Sequence, residues 1–449
     1  MDYPKARKSP RTEFDAANVV MFAVGLSILA ACARPEPTEA VTFSRHIAPI
    51  LYKNCAECHR PNQVAPFSLL TYDDAKKRDR MIAYVTAKRR MPPWKAEPGY
   101  GEFEDARSLS DDELSLIRQW VDAGSPAGDL SELPAVPKFH DGWALGEPDL
   151  VVTMPEPYTI PAEGPDIYRC FVFPLNLDKD TYVRAAEFRP GNRRVVHHSL
   201  LFIDSNGVGR KLDAKEPGQG YTRVGGPGFM PAGSLDGWAP GTTVRPLPDG
   251  VGWFVRRGSD LVIQTHFHPT GKVEQEQSSI GLYFCKTRPE KQSFTLPILS
   301  REIDIPPGEA NHVVRASLTI PSDATSIGVI PHAHLLGREL KATYTLPDGA
   351  TRWLVWIKDW DFNRQDHYRY KEPIDLPRGT RIDIEYTYDN SAANPRNPNR
   401  PPKRVQWGEQ TNDEMCILFL QFVPRSAKDM PALMALLVNQ THELFKTTR

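Results

Sequence analysis

Two histidines one residue apart, His332 and His334, lie in the run Val329-Ile330-Pro331-His332-Ala333-His334-Leu335-Leu336-Gly337. The β-branched and apolar neighbours read as a strand. Side chains two apart on a strand leave from the same face, so both imidazoles reach toward one metal ion. Two ligands rarely complete a site. Further candidates are adjacent His197-His198, a second alternating pair in Gln264-Thr265-His266-Phe267-His268, and Met415 in Asn412-Asp413-Glu414-Met415-Cys416. Imidazole suits copper, zinc and iron, while a thioether favours cuprous copper. Three such clusters in strand-like, apolar segments point to a metal centre rather than to separate buried histidines. His46, His140, His312, His367 and His442 fit no motif and are expected on the surface or in turns.

A second chemistry sits near the start of the chain. Cys55-Ala56-Glu57-Cys58-His59 is the pattern of c-type haem attachment, with two thiols for the porphyrin vinyls and a histidine for the iron. A redox dithiol or half a zinc site is the alternative reading of the same residues. An electron-carrying haem needs a further axial ligand. Met91 in Arg90-Met91-Pro92-Pro93-Trp94 is the first candidate, because two prolines fix an extended loop. Met81 is the second, but it falls in a helical stretch from Tyr72 to Lys88 and is expected to pack in the core.

The elements that must position these groups follow from patterning. At 449 residues the chain should hold two or three domains. A formal charge of −1 offers no basic face for nucleic acid, and 42 prolines argue for turns and extended connections over long bundles. Residues 1–32 carry a basic start, an apolar run from Val19 to Ala31, and Leu29-Ala30-Ala31-Cys32, which resembles the bacterial lipobox with Cys32 acylated. A plain cleaved signal or an anchor helix is the alternative. Either way, the mature chain is expected outside the cytoplasm. The lipobox reading places it in a bacterial cell envelope, facing the periplasm and lipid-anchored to the membrane through Cys32. Residues 33–40 read as a tether.

Residues 41–126 form a small all-α unit. Its first helix carries Phe43, Ile47, Ile50 and Leu51, and its last begins at a Ser110–Glu113 capping box. Residues 127–157 read as linker. From there to Pro424 the pattern is short strands with turns, as in Val195–Ile203, Leu261–His268 and Arg381–Tyr388. Two antiparallel β-sandwiches in tandem, jelly-roll-like, are expected at 158–296 and 297–424, with Pro306-Pro307-Gly308 near their seam. Residues 425–449 close the chain with an amphipathic helix.

Along its whole length the helical unit resembles a class I cytochrome c. The β region resembles the copper type II, ascorbate-dependent monooxygenases over roughly residues 160–424. The resemblance rests on six motifs in order: Val196-His197-His198-Ser199-Leu200-Leu201-Phe202, Leu247-Pro248-Asp249-Gly250-Val251-Gly252, Gln264-Thr265-His266, Ile305-Pro306-Pro307-Gly308-Glu309, His332-Ala333-His334-Leu335-Leu336-Gly337 and Asp413-Glu414-Met415-Cys416. It implies one copper on His197, His198 and His266, and a second on His332, His334 and Met415. The all-imidazole site would store an electron. The Met-bearing site would meet O2 and hydroxylate a C–H bond of an organic substrate across a solvent-filled cleft.

The electrons would come from ascorbate or another donor, with the fused haem c assisting. His268, two residues from His266, would face the same copper on a regular strand, but the family has no ligand there, and a supporting or merely local role is expected. The arginine, asparagine and tyrosine that hold a peptide carboxylate in peptidylglycine enzymes are replaced by Ile330, Ile417 and Phe419. The family's disulfides are nearly gone, and Cys170–Cys285 is the one pairing that falls within one expected domain. A non-enzymatic copper and haem protein, carrying electrons or handling copper, is the alternative function. Met415 favours the enzyme.

Overall fold

The computed structural model describes residues 40–445 except 62, 64, 105, 140, 141 and 241. The signal segment, Cys32, most of the tether and His140 lie outside these described residues. No described helix is long and apolar enough to cross a membrane.

The helical unit runs through Phe43–Ile47, Ala48–Asn54, Tyr72–Lys76, Asp79–Ala87 and Asp111–Asp122. Phe43, Ile47, Leu51, Ile82, Ile117 and Trp120 close its core. The Ser110–Glu113 capping box forms, with Glu113 N–H donating to Ser110 Oγ (3.1 Å) and Ser110 N–H to Glu113 Oε2 (2.8 Å). The single helix expected from Tyr72 to Lys88 is instead two. The second opens at Asp79, whose carboxylate accepts from Ser125 Oγ (2.6 Å). The break also turns Met81 outward, 48% exposed, so it is not a core residue.

The β region is mostly antiparallel sheets. Among the described residues, two five-stranded sheets and one two-stranded sheet make the first domain, and two four-stranded sheets and one two-stranded sheet make the second. Three boundaries differ from the sequence reading. Leu150–Thr153, expected in the linker, is a strand paired with Ser279–Phe284. Phe294–Ser300 spans the expected 296/297 boundary and pairs with Cys416–Pro424, so the second domain begins before it. Pro306-Pro307-Gly308 therefore turns inside the second domain, where Gly308 takes φ +90° and its N–H donates to Asn390 O (3.0 Å).

The helical unit is docked. Glu97 N–H donates to Trp356 O (2.8 Å), and Glu104 N–H to Arg369 O (2.8 Å). Ala96 and Phe103 belong to the core of the second β domain. Trp94 meets Tyr368 edge-on (5.1 Å between centroids), Phe103 stacks on Tyr370 (5.4 Å), and Tyr100 packs on Trp356 (4.3 Å). Lys95–Asp359 (3.0 Å) and Arg107–Asp366 (3.7 Å) flank this aromatic seam. The closing helix, Met430–Phe445, packs against Phe294–Ser300 through buried Leu433.

Candidate metal centres

His197 and His198 lie on strand Val196–Asp204, and His266 lies on Asp260–Phe267. Neighbouring side chains on a regular strand face opposite ways, so consecutive ligands demand an irregularity. The register between these two strands shifts between Val196 and His198, with His198 opposite His266. This bulge turns both adjacent rings to one side. Their ligand atoms and that of His266 lie within 4.8 Å of one another. His197 Nδ1 is 3.0 Å from His198 Nδ1.

His266 is 1% exposed, and neither ring nitrogen has a hydrogen bond. Its Nε2 lies 2.9 Å from Asp166 Oδ2, out of line for one. Tyr168 stacks on the other side of the ring at 4.2 Å. Buried polar atoms are otherwise nearly always paired, so three convergent imidazoles with an orphaned member fit a metal ion. Burial and then His266 push His197 down to about 4, and burial pushes His198 well down, which leaves lone pairs open. Burial raises the Asp166 carboxyl, but the close approach of His266 and the hydrogen bond with His268 outweigh it and hold the group well below the ordinary range. His268 is itself outside the cluster. It is exposed, with Nδ1 2.8 Å from Asp166 Oδ1.

His332 ends strand Ala324–His332, and its pairing sets it opposite Ile417, two residues from Met415. The His332 and His334 rings lie 5.2 Å apart at 88°. Each has its Nδ1 engaged, His332 by Gln365 Oε1 (2.7 Å) and His334 by Asp413 O (3.1 Å). That leaves both Nε2 atoms for a ligand, the arrangement metal-binding histidines use. Burial, then His332, pushes His334 down to about 3.

Glu414 fixes the geometry. Its fully buried carboxylate accepts from the N–H groups of His334 (2.8 Å), Leu336 (2.6 Å) and Met415 (3.2 Å), tying the histidine turn to the methionine. Met415 is buried and lines one cavity with His198, His332 and His334.

The two clusters share a ring. Phe362 stacks on His197 (4.8 Å, 20°) and meets His334 edge-on (5.7 Å, 82°). Gln365, on the same loop, also donates to Phe362 O (2.9 Å). Phe362 thus lies against a histidine of each cluster, beside the cavity that His198, His332, His334 and Met415 line. His367, expected on the surface, is half-buried beside the cavity, 3.9 Å from Asp236.

In the helical unit His59 Nδ1 lies 3.1 Å from Phe67 O, leaving Nε2 for an iron. Cys55 and Cys58 are unpaired thiols, as are Cys170, Cys285 and Cys416. Burial pushes Cys55 up to about 12. Burial also raises Cys58, while the charges of Arg107, Arg364 and Arg193 act the other way, so the motif faces the β region. These residues fit a thioether-linked haem. Met91 opens the loop that runs on to the aromatic seam, its N–H donating to Val85 O (3.3 Å).

Asp166, Tyr168, Phe362, Gln365 and Glu414 were not legible as site residues. Glu414 stands beside Met415 in a motif, which is a usable signal. The loop carrying Phe362 and Gln365 has no periodicity or spacing to reveal it.

Residues 298–434 match the family of the copper type II ascorbate-dependent monooxygenase, C-terminal domain. DBH-like monooxygenase protein 1 of Homo sapiens is 23% identical over 361 residues, 71% of this chain and 56% of that protein. The Gallus gallus protein of the same name is 21% identical over 282 residues, 58% of this chain and 44% of its own. The chain thus spans about half the length of the relatives it matches. The major capsid protein P2 from Bacteriophage PM2 shares 9% identity at a TM-score of 0.22, covering 58% of this chain and 97% of its own, a likeness too weak to carry fold or function. The family likeness therefore rests on residues 298–434, and the DBH-like monooxygenases are proteins to which the chain is similar beyond that stretch.

Proposed function

We propose that the protein is an exported copper monooxygenase, held at a bacterial envelope membrane through Cys32, that hydroxylates a C–H bond of an organic substrate. The observation that carries this reading is the convergence of His198, His332, His334 and Met415 on one cavity. An electron carrier has no use for an open cavity beside its metal ligands. The balanced reaction is R–H + O2 + 2 e⁻ + 2 H⁺ → R–OH + H2O, with an ene-diol reductant of the ascorbate class supplying the electrons.

His197, His198 and His266 would hold one copper, and His332, His334 and Met415 the other. Copper supplies one-electron redox and the activation of O2. The chain's own part is positional. Asp166 orients His266, Gln365 and the Asp413 carbonyl fix the tautomers of His332 and His334, and Glu414 locks His334 to Met415. Phe362 keeps the two clusters in register. Cys55, Cys58, His59 and Met91 would hold a haem c, which would supply a one-electron store at the docked helical unit.

Metal analysis of the mature protein should give two coppers and one covalent haem. Met415→Ala should leave the three-histidine copper in place, weaken the other, and abolish oxygen uptake by the copper-loaded, reduced protein. Full activity with both coppers retained would refute the assignment.

A further inference from the structure

The cavity beside His332, His334 and Met415 encloses about 410 Å³ and has an unusual wall. One side is the closing helix of the chain, Met430–Phe445, which contributes Leu437, Val438, Thr441 and Phe445. The helix seats there because Gly226 has no side chain. A Cβ at that residue, whose φ is +94°, would lie 2.3 Å from Phe445 Cε1. Ile330, Ile417 and Phe419 line the cavity beside the histidines, and Phe254 adds to its apolar surface.

Most of the polar lining is already engaged, the buried Ser293 hydroxyl being an exception. Gln264 Nε2 donates to Arg223 O and Gly226 O (both 2.8 Å), and Gln421 Nε2 donates to Asp236 Oδ1 (2.6 Å). Gln365 is taken by His332. Among the described lining residues there is no lysine or arginine. Asp236 lies between Gln421 and His367. Burial raises the Glu409 carboxyl, against the charges of Arg223 and Arg301, and so favours its neutral form.

We propose that this cavity binds an uncharged, largely hydrocarbon molecule, and that the closing helix sets its specificity through Val438 and Thr441. The proposal rests on the monooxygenase reading for what then happens to the molecule, but not for its binding. In the copper-free protein an anion would be desolvated with no lysine or arginine among the described lining residues to pair with it. A cation would have to displace contacts that Asp236 already makes or ionise the buried Glu409 carboxyl. Both cost far more than burying apolar surface returns.

The test uses copper-free full-length protein, so its outcome is independent of turnover. N-phenyl-1-naphthylamine and 8-anilinonaphthalene-1-sulfonate share a skeleton and differ by one sulfonate. Fluorescence titration should show saturable, one-to-one binding of the neutral dye, and binding of the sulfonate weaker by about tenfold or more. Ethylbenzene should displace the neutral dye, and 2-phenylethylammonium should not.

Val438 is 42% exposed and Thr441 half-buried, so the helix tolerates changes at both. Val438→Trp, which fills the cavity, should weaken the neutral dye. Thr441→Arg, which brings in a cation, should reverse the preference toward the sulfonate. Equal binding of the two dyes to the parent protein, no binding of the neutral dye, displacement by the ammonium, or indifference to both substitutions would each overturn the proposal. Failure of oxygen uptake together with the expected binding pattern would sink the monooxygenase reading alone.

Discussion

Phe362→Ala removes the ring that touches a histidine of each cluster. The side chain is 7% exposed, and truncating a buried phenylalanine costs ~3–5 kcal/mol. Here the ring borders an open cavity, where water refills part of the space, so the lower end, about 3 kcal/mol, is expected. Of that, the stack on His197 and the edge contact with His334 contribute about 0.5–1.5 kcal/mol each.

These contacts also hold the imidazoles in their binding orientation. Losing such support lowers metal affinity by roughly 10–100-fold in comparable sites, and about tenfold is expected at both centres here. Urea unfolding of the copper-free protein reads the first quantity. Copper competition against a chelator of known affinity reads the second. Phe362→Leu should restore most of the stability but not the copper affinity, because it keeps volume and loses the flat face. A variant that is destabilised yet binds both coppers as the parent does would refute the reasoning, since the ring would then only fill space.

Burial pushes the Glu414 carboxyl up to about 8, against an ordinary value of 4.5. The folded state then keeps a proton that the unfolded chain has released, so this contribution is whole below about pH 4.5 and declines as pH rises through 8. The decline is at most ~5 kcal/mol, and Glu414→Gln should flatten it in urea midpoints measured against pH. Asp166→Asn takes the carboxylate from beside His266 and should weaken copper at the three-histidine site about tenfold, read by the same chelator competition, with the other site unchanged. Phe103→Ala should cost ~3–5 kcal/mol in a urea unfolding experiment, since the ring is 3% exposed and packed on Tyr368 and Tyr370. It should also speed proteolytic cleavage in 94–104.

The strands that carry the ligands were legible because alternation and turn residues are local signals. Val195–Ile203 and Leu261–His268 differ from the observed Val196–Asp204 and Asp260–Phe267 by a residue at each end. The Ser110–Glu113 cap was legible for the same reason. Which side of a strand a histidine faces depends on the partner strand, so the bulge at His197 was not. Nor was Phe362, whose function exists only where two domains meet. The break before Asp79 is set by a contact with Ser125, far along the chain. The strand at Leu150–Thr153 was hidden because four residues between prolines and glycines give too short a pattern to tell from linker.

Ala96 and Phe103 decide where the chain can be cut. Both lie in the sequence of the helical unit but in the core of the second β domain. A β portion separated after Asp122 would leave Tyr368 and Tyr370 facing water, and a helical portion ending there would carry an apolar strap with nothing beneath it. The unit of folding and the helical stretch of sequence therefore do not coincide. A transplantable β module has to begin before Trp94, and exchanging the helical unit for another has to bring a matching strap with it.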